Sequence, residues 1–298
     1  MRLPHPLPLL ALLALVRALP AQSSAGSELW RLAAVTLPMP PALATGAAAA
    51  FWNPAQQEAG SGQLGLDLIQ TPEAVGASGV IAAFRIPLHS VGTVGFVYGR
   101  MGLGDLVRTS DSPDPDGASI PYYAQSAALT WARALGRSTV GASLTYHDTR
   151  FDGVRLERWS VDAGFAQQIG DRLRLTAATR GFRRLGSDPA QDVYAALESR
   201  LWRGTLWRGT PGTVRGSYGL TVGHPGGTDH QLGAGLDVGA PVSLDVVVVR
   251  EATYGNPAWR GAAGLRVAVG RYRLSFARDG GISDLGSTFR IGLEGRLK

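Results

Sequence analysis

The chain has 298 residues, a formal net charge of +6, 40 glycines and no cysteine. The missing cysteine excludes disulfides and thiolate chemistry. An arginine excess spread along the chain, with Lys298 as the only lysine, argues against a nucleic-acid-binding patch. No apolar run reaches the roughly 20 residues of a membrane-crossing helix, which excludes a helical inner-membrane protein.

Residues 1–21 read as a cleaved signal peptide: Arg2 precedes an apolar run from Leu7 to Val16, and small-residue cleavage chemistry ends at Ala21. The mature chain then begins at Gln22. Removing Arg2 and Arg17, with no acid, lowers the formal charge from +6 to +4. So modest an excess suits lipopolysaccharide phosphates outside the molecule or acid partners in a polar interior.

From about residue 62 onward the chain alternates. At the C-terminus Phe289, Ile291, Leu293, Gly295 and Leu297 share one face, and Arg290, Glu294, Arg296 and Lys298 the other. The same period marks strands near 62–70, 78–88, 91–101, 120–134, 137–148, 154–168, 171–183, 190–203, 213–223, 230–239, 242–252, 259–269, 271–279 and 286–298. Connections alternate in length. His89-Ser90, Leu135-Gly136, Ile169-Gly170, Ala240-Pro241 and Gly270 are tight, whereas 102–119, 184–189, 224–229, 253–258 and 280–285 are longer and rich in Gly, Pro and Asp. Short turns at one rim and longer loops at the other predict an all-β fold: a closed antiparallel transmembrane β-barrel of about fourteen strands. Backbone groups in hydrocarbon need internal partners, so only a sheet without edges can cross. Residues 201–210 read LWRGT twice. The duplication predicts that the eighth strand runs through the first copy and turns at Thr210-Pro211-Gly212, with Trp202 and Trp207 in an interfacial belt.

With the apolar face on lipid, the lumen receives Arg85, Arg158, Asp162, Arg174, Glu198, Arg200, Arg215, Asp237, Asp245, Arg266, Arg273, Arg290, Glu294 and Arg296, together with Asp67 and Arg260. Two readings stand: an ion-pair lattice that ties strands together, or a solute path whose arginines favour anions. Asp111, Asp114 and Asp116 before Gly117 look like half a calcium loop without its first acid or its bidentate glutamate, which reads as a solvated acidic loop. His224, Asp229 and His230 fall in one loop. A lipid hydrolase built on them is the remote alternative, but no serine motif accompanies them, so the expectation is a non-enzyme without cofactor or metal.

The segment ALATGAAAAFWNPAQQEAG, with Trp52, Asn53, Pro54 and Ala55 before the first strand, resembles the N-terminal region of the FadL and PorV/PorQ superfamily of outer-membrane barrels. The closing hairpin, with DLGSTFRIGL at 284–293, is similar to that of PorV-type members. The resemblance implies a barrel over 62–298 and an inward-folded plug or hatch over 22–61. It also implies residence in the outer membrane of a Gram-negative-type bacterium, among outer-membrane lipids and lipopolysaccharide. Two roles follow: a plugged channel or scaffold serving secretion or envelope proteins, or a transporter of a hydrophobic, fatty-acid-like small molecule. The chain departs from the fatty-acid transporters in its short loops, its charged lumen and a last residue that is not aromatic.

Overall fold

A computed structural model describes residues 27–56, 61–104, 106–107, 119–185, 192–223, 227–252, 258–280 and 286–297. Fourteen strands form one closed barrel. In chain order they are β1 (Gln63–Gln70), β2 (Ala77–Leu88), β3 (Gly92–Leu103), β4 (Tyr122–Leu135), β5 (Ser138–Phe151), β6 (Val154–Ile169), β7 (Leu173–Leu185), β8 (Asp192–Thr205), β9 (Pro211–Val222), β10 (Thr228–Val238), β11 (Val242–Glu251), β12 (Ala258–Val269), β13 (Tyr272–Asp279) and β14 (Phe289–Arg296). Every neighbouring pair is antiparallel. Closure runs from Gln63 opposite Arg296 to Gln70 opposite Phe289, so no edge is left open.

The period of two decides which face meets lipid. Leu64, Leu66 and Leu68 on β1, Phe84 and Phe96 on the next hairpin, Leu244, Val246 and Val248 on β11, and Ile291 and Leu293 on β14 are all exposed. The residues between them are mostly buried: Gln63 and Ile69, Arg85, Asp245, Val247 and Val249. The outside is therefore a continuous apolar band, and the polar and small residues point inward. In water such a surface would aggregate, whereas in a bilayer it is solvated and the closed ladder satisfies every strand. Among the described residues no helix is long and apolar enough to cross a membrane; the strands supply the crossing.

At the rim where β1 begins and β14 ends, the tight turns lie where alternation put them. Two details differ from the sequence expectation. The β8–β9 turn is the second LWRGT copy itself, Leu206–Thr210, closed by Leu206 N donating to the Thr210 carbonyl at 2.7 Å. Arg208 and Gly209 take φ of 57° and 77° there, so β9 already starts at Pro211 rather than after it. Arg208 and Gly209 sit in the left-handed region, which the chain needs to reverse within five residues; the first copy has no such constraint and remains strand. At the opposite rim β5 and β6 are joined by Asp152-Gly153 alone, shorter than the neighbouring loops, with Asp152 at φ 52°.

Residues 27–56 lie against the inner wall. Helix α1 (Ser27–Val35) is followed by short 3-10 turns at Pro41–Leu43, Ala47–Phe51 and Pro54–Gln56. Leu29, Trp30, Ala33, Leu43, Ala49 and Trp52 form one buried cluster with Ile69, Ile81, Val97 and Met101 of the first three strands and Ala124 of β4.

Candidate functional site in the lumen

The inner wall divides by chemistry. From β8 round to β1 it is ionic. Arg215 on β9 reaches Glu198 on β8 at 2.9 Å, Asp237 on β10 at 3.0 Å and Asp245 on β11 at 3.0 Å. The other oxygen of Asp245 meets Arg266 on β12 at 2.7 Å. Arg273 pairs with Glu294 at 3.6 Å, and Arg290 with Asp67 across the closing seam. Inward positions on adjacent strands are register neighbours, which is why alternating charges in sequence become a lattice in space. Each of these arginines has a carboxylate beside it, so the wall is close to neutral and offers little field to select anions.

From β4 to β7 the wall is instead lined with hydroxyls around one acid. The Asp162 carboxylate accepts from Thr145 Oγ1 at 2.6 Å, Ser143 Oγ at 3.2 Å, Ser160 Oγ at 3.3 Å and the backbone N–H of Gly181. His147 Nε2 lies 2.8 Å from Ser160 Oγ. The aspartate bonds the serine, not the imidazole, so the group lacks the relay order of a hydrolytic triad. It is a satisfied polar cluster buried in the wall.

The other lumen candidates divide. Arg85 is buried and bonded to Gln63, Arg174 bonds Gln56 of the inner segment, and Arg260 bridges Glu251 at 3.3 Å and the carbonyl of Val35 at 3.1 Å. Arg158 faces inward half-buried, and Arg200 stands in register with Arg215. Arg296 has the inward parity of Arg290 and Glu294 and lies exposed at the turn rim, where it lines a cavity of about 310 Å³ with Arg273 and Glu294. His230 faces outward, its Nδ1 2.7 Å from the Tyr218 hydroxyl. His224 and the acids Asp111, Asp114 and Asp116 lie outside the described residues.

The segment bearing the WNPA motif is gripped from several sides. Asn53, fully buried, donates from Nδ2 to the Ala42 carbonyl at 3.0 Å, and its Oδ1 accepts from the Ala55 N–H at 3.0 Å. Gln56 donates to the same Ala42 carbonyl at 2.8 Å. The turn therefore ties two loops of the segment together. Beneath it, Gly141 on β5 and Gly164 on β6 are register partners, and a Cβ on either would overlap Pro54, Asn53 or Ala55. Gly99 plays the same part under Trp30 and Phe51, where a Cβ would lie 2.8 Å from each ring. The ionic wall holds the segment as well, through Arg266 to Thr45 Oγ1 and Arg260 to Val35.

A residue of the same inward face as Arg174, not named among the lumen candidates, closes this grip. On β7 the register against β6 slips between Val161 and Ala163, where Arg180, Gly181 and Phe182 together oppose Asp162. Gly181 adopts φ 68° in the bulge, and Arg180 just before it, on the inward face shared with Arg174 and Ala178, lays its guanidinium over the rings of Phe51 at 4.2 Å, Trp30 at 4.9 Å and Trp52 at 6.0 Å. Trp30 and Phe51 pack at 4.8 Å, Phe51 and Trp52 edge-on at 4.9 Å, and Trp52 edge-on to Tyr194 of β8 at 6.4 Å. The signal in the sequence was parity with Arg174, six residues earlier on the same strand face.

No protein-family model matches the chain, and no curated protein matches it. Solved structures do. The chain is similar to the toluene transporter TbuX of Ralstonia pickettii, at 13% identity over 86% of this chain and 95% of that one, with a TM-score of 0.51. Also similar are the ΔS2S3 mutant of the monoaromatic hydrocarbon channel TodX, at 12% identity over 83% and 92% with a TM-score of 0.48, and CdiB from Acinetobacter baumannii, at 12% over 81% with a TM-score of 0.46. The chain spans 61% of the length of CdiB. The fold of this chain is that of an outer-membrane β-barrel.

Proposed function

We propose that this protein is an outer-membrane barrel that admits a small apolar molecule, with residues 27–56 as the closure of the bore. The observation that carries the reading is the apolar seam inside the lumen, where Leu29, Trp30, Leu43 and Trp52 pack on Ile69, Ile81, Val97 and Met101. A water-filled pore for polar solutes wets its interior; this wall buries oily surface against residues 29–52. An apolar solute that displaced part of the segment would replace one apolar contact with another, at little cost in transfer free energy. The toluene transporter with the same fold agrees with that substrate class. In vesicles whose outer leaflet contains lipopolysaccharide, which slows apolar permeation, the protein should accelerate toluene entry over protein-free vesicles. Equal rates with and without protein refute the reading.

A second reading, a plugged scaffold of the PorV type serving secretion or envelope partners, is favoured by the tightness of the fit. Among the described residues, two cavities between the segment and the ionic wall measure only about 50 and 70 Å³. Cross-linking in intact cells that captures one envelope protein stoichiometrically, without toluene transport, would decide for it.

A further inference from the structure

The lipid-facing surface carries an amphipathic groove of about 750 Å³ across β14, β1, β2, β3 and β4, at the rim away from the tight turns. Two adjacent register rows build it. In the first, Phe289, Gln70, Ser78, Gly102 and Tyr123 stand side by side, so the two smallest residues lie between two rings and leave a trough. In the second, Ile291, Leu68 and Val80 lead to Arg100, and the chemistry turns from aliphatic to charged along one line. Arg100 is exposed, and its guanidinium stacks over Tyr123 at 4.5 Å. The nearest acid on that row, Asp148, is engaged by Arg155 at 2.9 Å and by Gln125 at 2.7 Å.

An arginine on the lipid face is costly at the bilayer midplane and nearly neutral at the interface. The next outward row toward the midplane carries Tyr98, Tyr146 and Trp159, the aromatic belt that marks an interface. The charged end of the groove therefore lies at headgroup depth and its aliphatic end runs into the acyl region. We propose that this groove is a binding site for a phosphorylated lipid of the surrounding leaflet, with its phosphate on Arg100 and one acyl chain along Val80, Leu68 and Ile291. Arg100 suits a phosphate because a guanidinium presents paired donors, and stacking on Tyr123 fixes its plane without using them. The site is separate from the lumen and independent of the proposed transport.

The test uses the purified full chain in detergent, incubated with diphosphoryl lipid A or with the same lipid dephosphorylated, and native mass spectrometry to count retained lipid. The protein should retain one phosphorylated lipid per chain, with a preference of about 5-fold or more over the dephosphorylated form, the effect of a charge-assisted hydrogen bond. Arg100→Gln should abolish the preference, and Ser78→Leu, which fills the trough, should lower retention of both lipids. Heat-modifiable migration reports whether each variant is folded, and the comparison of the two lipids on the unaltered protein needs no variant. Equal retention of the two lipids overturns the proposal, as does an unchanged preference in folded Arg100→Gln or unchanged retention in folded Ser78→Leu.

Discussion

The guanidinium of Arg180 lies 4.2 Å from the centre of the Phe51 ring, which joins a bulge in the barrel wall to the segment inside it. Arg180 is buried and Phe51 half-buried, so the cation–π contact lies toward the desolvated end of its range, on the order of 1–2 kcal/mol. Arg180→Leu keeps a bulky chain at the site and removes the charge. Hydrogen exchange at residues 47–56 should speed up by about 5–30-fold, the equivalent of 1–2 kcal/mol, while strand amides stay protected. Unchanged exchange in the segment would show that the stack does not hold it.

The glycine floor makes a steric prediction. Gly164→Val places a side chain where Asn53 and Pro54 now sit, so the segment must leave although the barrel can still close. Protease should then cut within residues 27–56 of the folded variant. Gly153→Ala is the control, because nothing lies within 4 Å of the added carbon and the turn at that position faces solvent.

Removing the cation at the centre of the ionic wall should be felt by the barrel itself. Arg215→Met leaves Glu198, Asp237 and Asp245 around an apolar side chain. A fully buried pair broken on one side costs about 3–5 kcal/mol. Since Arg215 is 19% exposed, water screens part of this, and the expected loss is nearer ~2 kcal/mol. Urea unfolding in detergent or lipid reads it as a lower midpoint at constant slope. Arg296→Met, at the exposed rim, should leave the midpoint unchanged.

Asn53 can be tested by its donors and acceptors separately. Asn53→Asp keeps the acceptor for Ala55 and replaces the donor to Ala42 with an acidic oxygen; Asn53→Ala removes both. Each leaves the Ala42 carbonyl with Gln56 alone, and an unmade bond at a buried group costs about 1–3 kcal/mol. Both variants should raise exchange at residues 41–56, and the aspartate more, since it also buries a charge.

The barrel was legible because strict alternation over fourteen segments leaves one solution in a membrane, and every predicted strand is found within a few residues. The lumen candidates were legible for the same reason: Arg215, Asp245 and Arg266 point inward by parity alone. Their pairing was not, because it depends on register between strands. Arg180 shares the inward parity of Arg174 on β7, and what parity could not show was its stack on Phe51 and Trp30, which depends on how residues 27–56 fold; the hydroxyl cluster around Asp162 escaped because serines and threonines carry no pattern of their own. The LWRGT duplication correctly predicts strand through its first copy but puts the turn a few residues late, at Thr210–Gly212, since the sequence does not show the left-handed angles at Arg208 and Gly209 that reverse the chain inside the second copy.

The central claim, that residues 27–56 close the bore, is tested most directly by single-channel conductance in planar bilayers. The intact protein should be silent or nearly so, and a variant lacking residues 27–56 should give discrete, sustained conductance steps. Equal conductance of the two proteins would contradict the account.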